Sequence, residues 1–238
     1  MNIHFFGTRG YIEESSRLHR MHSALLLSFA GKRLLLDAGE TWSGRIGELD
    51  PNWIAITHAH PDHAFGLRRG TGVPVYVTAE TRRLLSKLPL RNFRTLNPGR
   101  WQPIGPFRVM AYTVVHSIRC PTVGFKVRAG RRTIVYNPDV ISIDDRARVL
   151  RDVDAFIGDG ASLTRPLVRR RGDLLFGHTT VRAQLNWCKE AGIGRAFIVH
   201  CGKQIVEMNA REAQRRVDEL AGPFVHATIA HDGMEAVL

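Results

Sequence analysis

Cysteine, lysine and long apolar runs are what this sequence has least of. Three cysteines, Cys120, Cys188 and Cys201, stand among 238 residues. Odd in number, far apart and never arranged as C-x-x-C, they argue against a disulfide framework and against a cysteine-based zinc site. The richest apolar segment, Ala24-Leu25-Leu26-Leu27, falls far short of the roughly 20 residues that a membrane-spanning helix needs. The opening Met1-Asn2-Ile3-His4-Phe5-Phe6 has no basic start, no extended apolar stretch and no small-residue cleavage site. A secretory leader is therefore not expected, and the chain reads as cytoplasmic. Only five of the 34 basic residues are lysine, a bias that genomic base composition can produce, yet the net charge of +12 is a physical fact. It concentrates anions around the protein, phosphates and nucleic acid first among them. The arginines fall in small clusters, among them Arg68-Arg69, Arg82-Arg83, Arg131-Arg132, Arg169-Arg170-Arg171 and Arg215-Arg216. They are spread along the chain rather than gathered in a tail, and aromatic residues do not interleave with them as in a stacking platform for single strands.

What is present is a succession of short apolar segments separated by turn residues. Asn2 to Gly7, Ser23 to Phe29, Arg33 to Asp37 and Trp53 to Thr57 each suit a strand, with Gly31-Lys32 as a tight hairpin turn. After a strand from Val73 to Val77, Thr78 caps a helix expected to run to about Leu88 with Leu84, Leu85 and Leu88 on one face. Strands return at Phe107 to Val115, Val123 to Arg128, Thr133 to Tyr136 and Asp154 to Gly158. Thr179 or Thr180 then opens a helix with Val181, Leu185 and Cys188 facing inward, ending near Gly192. A strand from Arg195 to Val199 precedes a helix capped by Asn209 with Ala213, Val217 and Leu220 inward, and strands Val225 to Ile229 and Met234 to Val237 close the order. No internal repeat or linker interrupts it. The expectation is one α/β domain over 1–238, a four-layer αββα sandwich of two mixed sheets flanked by helices.

The densest chemistry lies in Thr57-His58-Ala59-His60-Pro61-Asp62-His63. His58 and His60, two apart in extended chain, project to the same side and can share one metal ion. Asp62 and His63, beyond Pro61 at the start of a short helix, point elsewhere and can hold a second. This segment resembles the H-x-H-x-D-H signature of the metallo-β-lactamase superfamily, and the resemblance extends over nearly the whole chain. It implies His116, after Val114-Val115, as third ligand of the first ion. It implies Asp139, in Tyr136-Asn137-Pro138-Asp139, as bridging carboxylate, and His200, after Phe197-Ile198-Val199, as the last ligand of the second. Asp37, in Leu36-Asp37-Ala38-Gly39, matches an Asp that orients ligating histidines. Two divalent ions follow, Zn2+ by default for this His-rich set, with Mn2+ or Fe2+ also accommodated.

Within that superfamily, His63 where β-lactamases carry Arg and His60 where the di-iron flavoproteins carry Glu favour the phosphodiesterases. Gly177-His178-Thr179-Thr180, read as a helix start, is similar to the ribonuclease Z group. That likeness implies His178 as a non-ligand that stabilises the departing oxygen; on chemical grounds Asp62 is expected to orient the attacking hydroxide or accept its proton. The group's long tRNA-gripping arm has no counterpart in the 22 residues between His116 and Asp139. The expected activity is hydrolysis of a phosphodiester in nucleic acid or in a cyclic nucleotide, in a protein that the resemblance allows to be a homodimer. An alternative is carboxylic ester or thioester hydrolysis of the glyoxalase-II or lactonase kind, and a third is a silent nucleic-acid-binding module. His231 is left open between lining the pocket and a structural role, while His4, His19, His22 and His226 read as structural or exposed.

Overall fold

A computed structural model describes residues 1–238. The chain opens with β1 (Asn2–Gly7), β2 (Ala24–Phe29), β3 (Lys32–Leu36) and β4 (Trp53–Ala55), followed by the single-turn helix α1 (Pro61–Ala64). Then come β5 (Val75–Val77), α2 (Ala79–Leu84), β6 (Phe93–Thr95), β7 (Trp101–Ile104), β8 (Phe107–Val115), β9 (Thr122–Ala129), β10 (Arg132–Asn137) and β11 (Ser142–Ile143). After α3 (Arg146–Leu150) and β12 (Ala155–Asp159), the hairpin β13 (Leu167–Arg171) and β14 (Leu174–His178) leads into α4 (Val181–Ala191). The last elements are β15 (Arg195–Val199), α5 (Lys203–Glu207), α6 (Ala210–Ala221), β16 (His226–Ile229) and β17 (Met234–Val237).

Two mixed sheets result. The first has the order β17-β1-β2-β3-β4-β5-β6, and the second runs β11-β8-β9-β10-β12-β15-β16 with β7 on the remaining length of β8. Period-2 alternation explains the layering. Leu25, Leu27, Leu34 and Leu36 point into the core between the sheets, where Phe125, Ile134, Tyr136, Ile157 and Phe197 of the second sheet meet them. Their neighbours Leu26 and Leu35 face outward under α1 and short helical turns, packing with Trp42, Ile46 and Leu67. Val135, Phe156, Ala196 and Ile198 likewise face Val181, Leu185, Cys188 and Val217 of α4 and α6. Strands buried on both faces read as continuous apolar runs, which is why Ala24 to Leu27 lacks a polar side. The four-layer α/β sandwich is therefore present. No helix is long and apolar enough to cross a membrane.

Local departures from expectation have local causes. The helix capped by the Thr78 hydroxyl, which accepts from the Thr81 N–H, stops at Leu84. Leu85 is buried and Leu84 is 48% exposed, so the leucines do not form one face. The short edge strands β6, β7 and β11 and the helices α3 and α5 carry too few residues to show a period. The hairpin β13–β14 escaped because every residue from Thr164 to Leu175 is exposed and leaves no burial pattern. His178 accordingly ends a strand, and α4 begins three residues later at Val181.

Candidate metal centre

Every side chain expected at the site sits at or just beyond the carboxyl end of a strand, where α/β sheets open their ligand crevices. β3 delivers Asp37, β4 the segment 57–63, β8 His116, β10 Asp139 and β15 His200. Two of these positions are left-handed, Asp37 at φ 60° and His200 at φ 51°, a strain that persists only where surroundings over-determine it. At Asp37 the surroundings are visible. Its Oδ1 accepts from the Thr57 N–H at 2.8 Å, and its Oδ2 accepts from the Tyr136 hydroxyl at 3.1 Å and meets His63 Nδ1 at 2.8 Å. Asp37 thus fixes the His63 ring with Nε2 turned toward the site. Gly39 permits the close approach beneath it, since a Cβ there would stand 2.3 Å from the Asp62 carbonyl oxygen.

The expected residues converge. The donor atoms of His58, His60, His116 and Asp139 lie within 4.8 Å of one another, as do those of Asp62, His63 and His200. Asp139 stands between the two sets. Its Oδ2 is 3.3 Å from His58 Nε2 and 3.1 Å from His116 Nε2, while its Oδ1 is 3.0 Å from His200 Nδ1. His63 Nε2, Asp139 Oδ1 and His200 Nδ1 are buried and have no hydrogen-bond partner. Buried, converging donors without partners are costly alone and are the arrangement that a divalent cation satisfies. The donor set therefore fits the metal that it suggests.

Electrostatics agree. Burial holds His58 far below its ordinary pKa, with His63 adding to the effect. Burial, aided by His116, brings His60 down to about 4. Both stay neutral, the form that binds a metal. Burial alone would raise the carboxyls of Asp62 and Asp139, but the surrounding histidines outweigh it and keep both ionised. In His63 and His200 burial is in turn outweighed by carboxylates, and both are driven well above the usual imidazole range. The cluster thus demands positive charge, which divalent ions would supply.

Beside the donors lies a residue that sequence reading missed. Asp159, fully buried at the end of β12, has its Oδ2 2.7 Å from His178 Nδ1. Gln184 grips the Asp159 main chain from α4, accepting from its N–H at 2.8 Å and donating to its carbonyl at 2.7 Å. Burial would lower the His178 pKa, but the Asp159 carboxylate prevails and raises it. The available signal was Asp159-Gly160 closing an apolar strand and a polar Gln184 on the inward face of α4. A cavity of about 740 Å³ opens over the cluster, lined among others by His60, Asp62, His116, His178 and His200; His58 and His63 lie beneath its floor, wholly buried. His231 lines a separate cavity with His19, away from this one.

Comparison with known proteins is consistent with this geometry. The chain is 31% identical to a ribonuclease Z of Methanopyrus kandleri over 142 residues, 52% of this chain and about half (49%) of that enzyme. A ribonuclease Z of Methanococcus maripaludis is 23% identical with 99% of both chains covered. Zn2+-bound PqqB from Methylobacterium extorquens shares the fold with a TM-score of 0.75 and 18% identity over the full length of both chains. The family model of the Beta-lactamase superfamily domain matches residues 32–201. With most of its length under that match and its donors at the strand ends, the chain belongs to the β-lactamase superfamily.

Proposed function

We propose that this protein is a dinuclear metal-dependent phosphodiesterase acting on nucleic acid or a cyclic nucleotide. The observation that carries the reading is His178, held by the buried Asp159 at 2.7 Å on the wall of the cavity that opens over the donor cluster. His58, His60 and His116 would hold one ion, Asp62, His63 and His200 the other, with Asp139 between them, and Zn2+ suits this set. When bound, two such ions supply Lewis acidity to a phosphoryl oxygen and lower the pKa of water.

The chain's own residues do the rest. Asp62, kept ionised by His63 and His200, accepts a proton from the attacking water. His178, kept protonated by Asp159, donates a proton to the departing alkoxide, a role typically worth ~10² to 10⁴ in rate. Asp159 positions the imidazole and stabilises its charged form. A thioester hydrolase, which expels a thiolate that leaves without a proton, would gain little from such a donor. The net charge of +12 and the ribonuclease Z relatives support a phosphodiester substrate.

Metal-loaded protein and His178→Ala are to be compared on a cyclic nucleotide and a short oligonucleotide, whose leaving oxygens are alkoxides, and on a thioester and a lactone. Diester cleavage is expected, with the variant at least about tenfold slower. Thioester or lactone turnover indifferent to His178, with no diester cleavage, would replace the reading.

A further inference from the structure

Apart from His178 at its end, the β13–β14 hairpin has no part in this mechanism. Its register pairs Leu167 with His178, Arg169 with Phe176 and Arg171 with Leu174. Directly paired residues share a face of a two-stranded sheet. Arg169, Arg171 and Phe176 therefore stand on the face that ends in His178, while Arg170 and Leu175 stand on the opposite one. A groove of about 450 Å³ borders His178 on this hairpin, lined by Arg165 and by Leu167, Arg169 and Phe176 of the same face, with Val168 and Gly177 also reaching it. The hairpin is also joined to the site by its backbone. The Gly177 N–H donates to the His116 carbonyl at 2.8 Å, and the Gly177 carbonyl meets His116 Nδ1 at 2.9 Å. Its ion pairs all belong to His178, so Arg169 and Arg171 are exposed and uncompensated.

We infer that this hairpin face binds a single-stranded segment of nucleic acid flanking the scissile phosphodiester, with Phe176 stacking a base and Arg169 and Arg171 on successive phosphates. The inference rests on the phosphodiesterase reading and narrows it to a polymer. Charge complementarity selects the occupant. Cations and an aromatic ring side by side, leading away from the group that protonates a leaving oxygen, match a strand that continues beyond the bond being cut. Side chains two apart on a strand are separated by about 6.7 Å, a step that an extended polynucleotide can follow. Sequence alone hid the arrangement, because Phe176 reaches the arginines only through pairing across the turn.

The test uses the metal-loaded protein, a 12-nucleotide single-stranded RNA and DNA pair, and bis(p-nitrophenyl) phosphate. For Arg169→Ala/Arg171→Ala the KM for the oligonucleotide is expected to rise about tenfold or more. The slope of log affinity against log salt should become shallower by about 1.4, the value for two lost phosphate contacts to a single strand. Phe176→Ala should weaken the oligonucleotide about tenfold with the slope unchanged. All these variants, and Arg170→Ala on both substrates, should stay within about twofold of wild type on the small diester, which is too short to reach the arginines. Equal losses from Arg170→Ala, or an unchanged KM and slope in the double variant, would overturn the face assignment. Wild-type turnover of the small diester with no salt-dependent oligonucleotide binding would overturn the polymer while leaving the phosphodiesterase. Failure on both substrates would instead remove the functional reading beneath it.

Discussion

His19 shows how one side chain ties this fold to pH. It is buried at 4% exposure, and its Nδ1 lies 2.8 Å from the Thr8 hydroxyl oxygen. That hydroxyl donates to Asp232 at 2.7 Å, so its oxygen accepts from Nδ1–H. Burial, with His231 nearby, lowers its pKa to about 4, against about 6.5 in the unfolded chain. The folded state therefore binds fewer protons between those values. The stabilisation is complete above pH 6.5 and is lost as pH falls toward 4. The unfolding free-energy gap between wild type and His19→Gln should shrink by about 2 kcal/mol from pH 7.5 to pH 5, as urea titrations at the two pH values will measure. A constant gap would mean that His19 is not held neutral. At this same scale the seven residues 57–63 were legible because their donors are contiguous and their spacing alone fixes direction. Asp159 was not legible, since it acquires its role only from His178, 19 residues away in sequence.

Among the elements, α4 carries more than packing. The Thr180 hydroxyl caps it by accepting from the Ala183 N–H at 3.0 Å, and its inward face presents Gln184 beside Val181, Leu185 and Cys188. Gln184 satisfies both main-chain groups of Asp159 inside the fold. Gln184→Leu would leave a buried N–H and a buried carbonyl unpaired, at a cost of about 2 to 4 kcal/mol. It would also release the carboxylate that holds His178. Unfolding titrations and diester turnover on one preparation should show both losses, with kcat down about tenfold. Loss of stability with full kcat would separate Asp159 from the reaction. The long apolar strands and the two long helices could be read from sequence because both faces of the strands and one face of each helix are buried. The β13–β14 hairpin could not, since pairing across its turn, rather than burial, organises it.

The whole molecule is closed by its site. Asp37, His58, His60, Asp62 and His63 follow strands of the first sheet, while His116, Asp139 and His200 follow strands of the second and Asp159 ends one of them. The donors facing one another are therefore drawn from both halves of the sandwich. Metal held at about 100 times its dissociation constant should add roughly 2.7 kcal/mol to stability, or about 5 to 10 °C in thermal midpoint for a chain of this size. Calorimetry before and after chelation, with readdition of Zn2+, measures the shift. An unchanged midpoint would show that these residues bind no ion that matters to folding. The fold class was legible at this scale because alternation of strands and helices constrains layer order. Which strand ends would meet was available only through the resemblance, since contact across the sandwich leaves no local trace. The spread of donors from residue 58 to residue 200 has a further consequence on the ribosome. A chain emerging at ~5 to 20 residues per second exposes the imidazoles of His58, His60 and His63 within about one second and reaches His200 roughly 7 to 27 seconds later. Until β15 has left the exit tunnel the nascent protein holds an incomplete set of donors, so a metal held by all of them, as proposed above, would be acquired only after translation of the carboxyl-terminal third.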